Sequence, residues 1–472
     1  MAGSGKSRFA LYFGNRGFFP GSLMASARVE VDKALKALGH ETLMLDAGAT
    51  RHGAVETPAE GEVYAKFLKA HAGEFDGVIL SLPNFGDETG AVAALRDAGV
   101  PIFVQAYPDD LDKMAPELRR DSFCGKMSVC DVFYQSGVQF TVLPPHTVAP
   151  DSPRFAANID YFDRVCRVVG ALKRMRVGAI GARTSAFKTV RIDELALERH
   201  GITMETFDLS DVFHRLKSIA PNDAAYKDKK NVLSRYANFS GVPEDAFDIL
   251  VKMGVVLDAI VEEGKLDAIA VRCWVEMQQV LGISPCVLLS EMNNRLVNAA
   301  CEVDVGNAVS MYALSKASGN VAACLDWNNN YGSEDDKCIL FHCGPVPQEM
   351  MTAKGNVTEH AILSNAVGQG CSFGCNVGRI KPTPFTFASM MTEEGDLKFY
   401  IGDGQFTADP IPENFFGCAG VATIDRLQDV LLYVAQNGHR HHVSVTPGVV
   451  TDAMVEALDY YLGFDVACPQ GM

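Results

Sequence analysis

Buried strands and amphipathic helices alternate through the first half of the chain. Residues 9–13, 42–45, 77–80 and 102–105 form short, almost wholly apolar runs, the pattern of strands covered on both faces. Between them, stretches such as 28–38 and 64–72 carry apolar positions at helical spacing. This rhythm predicts an α/β fold with a parallel, doubly wound sheet. Its functional groups belong on the loops at the carboxyl ends of the strands, here 14–20, 83–87 and 106–110.

A second strand–helix series starts near residue 176, continues through 268–272 and runs to about residue 315. The boundary between the two series falls in the helical stretch 150–172, after the proline-rich PPHTVAPDSP. Beyond residue 316 the pattern shifts to period-two segments such as 385–389 and 397–401, so a mostly β, barrel-like region is expected. A last helix is predicted from Thr451 to about Leu462. The corresponding domains are 1–165, 166–315 and 316–472.

Composition narrows the function. The chain has 472 residues and a formal net charge of −16, which disfavours nucleic acid and anionic membrane surfaces as partners. No apolar segment is long enough to span a bilayer, and MAGSGKSRFALYFG lacks a signal-peptide apolar core, so the expected location is cytoplasmic. The thirteen cysteines lie scattered through apolar runs, as buried reduced thiols would. Neither close pair, Cys371/Cys375 or Cys338/Cys343, has a partner pair at zinc-ribbon spacing, so no structural zinc site is expected. Gly14-Asn-Arg-Gly17 lacks the full dinucleotide-loop spacing. GSGKS at 3–7 lacks both the leading glycine and the preceding strand of a phosphate loop.

The candidate chemistry gathers later in the chain. Glu302 stands in a short apolar context, Asp326 opens an asparagine run, and His342 ends the apolar run 338–341. His439, His441 and His442 follow in NGHRHHV. Taken singly, each also fits a structural role: a helix-start carboxylate, a turn aspartate, a packed histidine. Taken together, carboxylates and imidazoles in or beside apolar runs are costly to bury unless paired or metal-bound. A set of oxygen and imidazole donors without thiolates suits a hard or borderline cation such as Mn²⁺.

Seven segments, in order along nearly the whole chain, carry a resemblance. They are RRDSFCGKMSVCD (119–131), GAIGARTSAFKTVR (178–191), CEVDVGNAVSM (301–311), LFHCGPVP (340–347), GRIKPTPFTF (378–387), GDGQFTADP (402–410) and NGHRHHV (437–443). Together they resemble the L-fucose isomerase and L-arabinose isomerase superfamily. The resemblance implies two Rossmann-like domains followed by a β-barrel domain, a homohexamer with active sites shared between subunits, and a divalent metal, usually Mn²⁺. The Glu, Asp and distant His that hold this metal in fucose isomerases fall on Glu302, Asp326 and His442, with His439 and His441 as adjacent alternatives. His342 matches an extra metal-shell histidine of arabinose isomerases, while Asp326 stands where those enzymes carry Glu. Two departures bear on substrate choice: Val303 replaces a common glycine, and Gln405 stands where an acidic residue is expected.

An aldose becomes a ketose when a proton moves from carbon 2 to carbon 1. A metal bound to the two neighbouring oxygens acts as Lewis acid toward an enediolate, and Glu302 and Asp326 are the pair that shuttle the proton. For the far end of the sugar the candidates are Arg16, Gln405 and His439, with Trp327 (favoured over Trp274) stacking on a sugar face. Lys126 and Arg183 lie in shared motifs and say less about substrate. Arg, Gln and His donors would suit a sulfonate, so sulfoquinovose is the first substrate expectation, with L-fucose and D- or L-arabinose as alternatives. A non-catalytic sugar-binding protein and a metal-dependent hydrolase are rivals from other classes.

Overall fold

A computed structural model describes residues 5–471, so Gly3 and Ser4 of the GSGKS segment lie outside the described residues. The chain divides into two compact units, residues 1–170 with 460–462, and residues 171–459 with 463–472.

The first unit is built on four parallel strands, β1 (Arg8–Phe13), β2 (Glu41–Met44), β3 (Gly77–Leu82) and β4 (Ile102–Ala106), in the order β2-β1-β3-β4. β1, β3 and β4 are buried almost end to end, as their apolar runs predict. Helices Ser22–Ala37 and Pro58–Ala70 extend the predicted amphipathic stretches by a turn or more at their N-termini. The second begins with Thr57, which accepts the Glu60 N–H, and Pro58 in the first turn, a favourable start for a helix. Chain order reverses between β1 and β3. At their carboxyl ends, buried Asn84 donates to Asn15, which donates in turn to Glu56.

The second unit repeats that design and adds a barrel. β5 (Arg176–Ile180), β6 (Thr203–Phe207), β7 (Ala268–Val271) and β8 (Asn298–Cys301) form a parallel sheet in the order β6-β5-β7-β8. Long helices such as Glu244–Gly264 cover it through Leu250, Val256, Leu257 and Ile260. The remaining strands are β9 (Ala323–Tyr331), β10 (Glu334–His342), β11 (Asn356–Glu359), β12 (Phe373–Arg379), β13 (Thr383–Glu393), β14 (Asp396–Phe406), β15 (Cys418–Thr423), β16 (His442–Pro447) and β17 (Asp465–Ala467). Six of them close a ring, β15-β10-β9-β16-β13-β14, because β14 also pairs with β15. Closure removes the unpaired edges that an open antiparallel sheet exposes. Leu325, Leu340, Phe385, Phe387, Tyr400, Phe406, Val443 and Val445 form its core.

The helix predicted from Thr451 is α-helical only over Thr451–Val455 and continues as a π-helical segment, Glu456–Tyr461. The widened turn leaves no trace in a pattern read at 3.6 residues per turn. Among the described residues, no helix is long and apolar enough to cross a membrane.

Candidate active site

Glu302 is the first residue beyond the carboxyl end of β8, where the chain turns sharply into helix Val305–Ser318. The turn puts Glu302 at φ 62 and Val303 at φ 59, both left-handed. Such conformations cost an L-residue roughly 1–3 kcal/mol, and a β-branched one is a clear outlier. The position after Glu302, where glycine is common by resemblance, is therefore one where backbone geometry favours glycine. The next residue, Asp304, caps the helix by accepting the Asn307 N–H at 3.0 Å and the Asn307 side-chain amide at 2.7 Å.

The barrel supplies the other side. Asp326 lies in the middle of the β10-β9-β16 ribbon, opposite Phe341 on one neighbour and His442 on the other. His342 ends β10, one residue beyond Phe341. The register places His442 against both carboxylates: Nε2 is 2.9 Å from Glu302 Oε2 and 3.3 Å from Asp326 Oδ1. Its Nδ1 is 2.7 Å from Asp304 Oδ2. Asp304 is fully buried and also pairs with buried Arg440. A carboxylate behind a histidine, holding its ring and tautomer, is the usual support for a metal-ligating imidazole. Glu302 is tethered through its other oxygen, which accepts the Trp274 indole N–H at 2.9 Å.

His342 Nε2 is buried at this spot without a hydrogen-bond partner, and buried Asp326 Oδ1 has only His442 Nε2, at 3.3 Å, and His441 Nε2, at 3.8 Å, near it. Buried polar atoms are rarely left so, and each calls for a reason. Glu302, His342 and His442 offer donor atoms within 4.8 Å of one another, as do Asp326, His441 and His442. These oxygens and nitrogens fit a divalent cation of hard or borderline character. His442 is shared by both groupings and is buried, whereas the His441 side chain is 44% exposed with Nε2 3.8 Å from Asp326 Oδ1.

The electrostatics set the two acids apart. Burial alone would raise Glu302, but the hydrogen bond and charge of His442 outweigh it and hold the carboxyl below its ordinary value. For Asp326 burial prevails over the nearby imidazoles and raises it. Burial opposes charge on His442 too, yet Asp304 and Glu302 overcome this and lift the imidazole to about 10. Asp304 itself is held well below the carboxylate range, Arg440 and His442 overcoming its burial.

Other candidates lie elsewhere. Trp327 does not face this cluster. Its indole N–H bonds the Tyr400 hydroxyl at 2.9 Å and its edge meets Phe387 inside the barrel, because side chains alternate along β9 and Asp326 already points outward. Gln405 is exposed on β14, its amide turned to the Phe406 carbonyl. His439 packs between Tyr400 and Tyr433, and burial lowers it to about 4. Arg16 belongs to the first unit, where it pairs with Glu88, donates to the Gly86 carbonyl at 2.7 Å and lies over the Phe85 ring. Lys126, also in that unit, is buried and bonds the His146 carbonyl. Arg183 bonds the carbonyls of Thr184 and Ser185.

Asp304 and Arg440 carry much of the arrangement and escaped sequence reasoning, although both stand inside motifs singled out there. A second acid two residues from the first, entering a helix, is the signal that was present. A cavity of about 380 Å³ opens over the cluster, its walls including Trp274, Glu302, Asp326, Phe341, His342 and His360.

Comparison with known proteins fits this geometry. Residues 10–173 match the fucose/sulfoquinovose isomerase N-terminal domain, and residues 340–468 match the L-fucose isomerase C-terminal domain. The chain is 22% identical to sulfoquinovose isomerases of Priestia aryabhattai and Priestia megaterium, over 81% of its length and 83% of theirs. With the sulfoquinovose isomerase of Alkalicoccus urumqiensis, identity is also 22%, over 83% of this chain and 85% of the relative. The class so defined is that of enzymes interconverting an aldose and its ketose. The chain belongs to the fucose isomerase-like family.

Proposed function

We propose that this chain is a Mn²⁺-dependent isomerase converting sulfoquinovose to sulfofructose, with Glu302, Asp326 and His442 as metal ligands and the two carboxylates as catalytic acids and bases. One observation carries the reading: two carboxylates and a buried, carboxylate-backed imidazole converge on one point. A divalent cation, when bound, supplies Lewis acidity to the oxygens on carbons 1 and 2 of the sugar.

The chain's own groups divide the remaining work. Glu302, oriented by Trp274, takes the proton from carbon 2 and returns it to carbon 1. Asp326, the second carboxylate at the same point, exchanges a proton with the sugar oxygens. Asp304 holds His442 and neutralises Arg440, so the ligand ring stays in one orientation. His342 presents Nε2 to the same space, while its Nδ1 accepts the Cys343 N–H at 2.9 Å.

The substrate rests on the relatives, all of which bear the name sulfoquinovose isomerase. A neutral sugar, L-fucose or D- or L-arabinose, is the second reading. It draws on the pairing of Arg16 with Glu88, a carboxylate that a sulfonate would have to displace. An isomerisation assay across these four sugars with Mn²⁺ decides between them. Preferential turnover of sulfoquinovose is expected. Preference for a neutral sugar would leave the reaction and change the substrate, and binding without turnover of any sugar would favour a sugar-binding protein.

A further inference from the structure

Five of the cysteines that lie far apart in sequence meet at one place in the second unit. Cys273 follows β7, Cys286 opens helix Cys286–Asn294, Cys301 ends β8, Cys343 follows β10 and Cys375 lies in β12. All five are less than a tenth exposed. Cys286 Sγ is 3.4 Å from Cys343 Sγ and 3.9 Å from Cys375 Sγ. Donor atoms of Cys301, His342 and Cys343 lie within 4.8 Å of one another, and His342 Nδ1 is 3.2 Å from Cys343 Sγ.

These separations suit a cation as well as they suit packed thiols. Sulfur ligands about 2.3 Å from a tetrahedral Zn²⁺ stand about 3.8 Å apart, and the two measured sulfur–sulfur distances bracket that value. Cys286 sits at the first position of a nine-residue helix, where the partial positive charge favours a thiolate. The cluster is not sealed in the core, because Cys273, Cys286 and Cys343 line the same cavity as Glu302, Asp326 and His342 and are reachable through it.

We propose that Cys286, Cys301 and Cys343, with Cys375 and Cys273 around them, form a second cation site that takes a thiophilic d¹⁰ ion such as Zn²⁺. Soft thiolates select such ions over Mn²⁺, while carboxylates and imidazoles suit the harder cation. Binding replaces thiol protons with the metal and involves no electron transfer. His342 stands between the two donor sets, Nδ1 toward the sulfurs and Nε2 unsatisfied on its other side. The inference does not depend on the isomerase reading.

Cadmium is the probe, because its thiolate complexes absorb in the ultraviolet. Titrating the whole protein with Cd²⁺ in excess Mn²⁺ should produce a sulfur-to-cadmium charge-transfer band that saturates at one equivalent. Cys286→Ala and Cys343→Ala should each weaken this binding at least tenfold, while Cys124→Ala, at an exposed cysteine of the first unit, should not. The wild-type protein supplies a second measurement should a variant misfold: bound Cd²⁺ should shield Cys286 and Cys343, which line the cavity, from alkylation, read by peptide mass spectrometry, and leave Cys124 reactive. Absence of the band, its persistence in the two alanine variants, or equal alkylation with and without Cd²⁺ would overturn the proposal.

Discussion

At Val303 the backbone and the side chain want different things. The left-handed conformation costs a β-branched residue about 1–2 kcal/mol, while burying the valine returns about 1.5–3 kcal/mol. Val303→Gly loses the burial and relieves the backbone. Val271→Gly, in fully buried β7, loses burial with no such relief. Urea denaturation should therefore show Val303→Gly to be less destabilising than Val271→Gly by about 1–2 kcal/mol; equal losses would mean that the turn is unstrained. One residue on, Asp304→Asn should lower Mn²⁺ affinity about 10- to 100-fold by loosening His442, measured by titration calorimetry. The same change leaves Arg440 buried without its counter-charge, a loss on the order of 3–5 kcal/mol when a buried pair is broken. Unchanged metal affinity would remove Asp304 from the account. Glu302 and Asp326 were legible in sequence because acids in apolar surroundings demand a reason. Asp304 was not, since its role depends on a helix start and a distant strand meeting.

At the scale of the element, β9 sorts its residues by face. Leu325 and Trp327 enter the barrel and Asp326 faces the site, so proximity in sequence to Asp326 misleads about Trp327. Trp274, more than fifty positions away on the loop after β7, is the tryptophan that reaches Glu302. Trp274→Phe removes a bond to a charged group, worth about 1.5–3 kcal/mol, and should cut turnover about tenfold or more. Trp327→Phe should cost about 1 kcal/mol of stability through the lost Tyr400 bond and leave KM unchanged. The reverse outcome in steady-state kinetics would exchange the two roles. The strands themselves were legible, since buried parallel strands are written as continuous apolar runs. Barrel closure was not, because it rests on the pairing of β14 with β15, a contact of two residue pairs that no local pattern announces. The meeting of five cysteines was hidden for the same reason: chain spacing excludes a zinc ribbon but says nothing of residues that the topology brings together.

At the scale of the whole molecule, the proposed substrate needs a donor for its sulfonate. If Arg16 provides it after parting from Glu88, Arg16→Ala should raise KM for sulfoquinovose several-fold and leave KM for L-fucose in place. A silent variant would move sulfonate recognition elsewhere. The family resemblance leads to a homohexamer, and sedimentation should find a species well above the mass of one 51.0 kDa chain; a fully active monomer would refute sites shared between subunits. The central claim is that Glu302, Asp326 and His442 hold a divalent cation on which isomerisation depends. Its most direct test measures bound manganese and aldose–ketose turnover on the same samples, for wild type, Glu302→Gln and Asp326→Asn, before chelation, after it and after Mn²⁺ is restored. Wild-type turnover should fall in step with the metal removed and return with it, while both variants stay down by several orders of magnitude. Undiminished turnover in metal-free enzyme, or a variant that keeps more than about a tenth of wild-type activity, would contradict it.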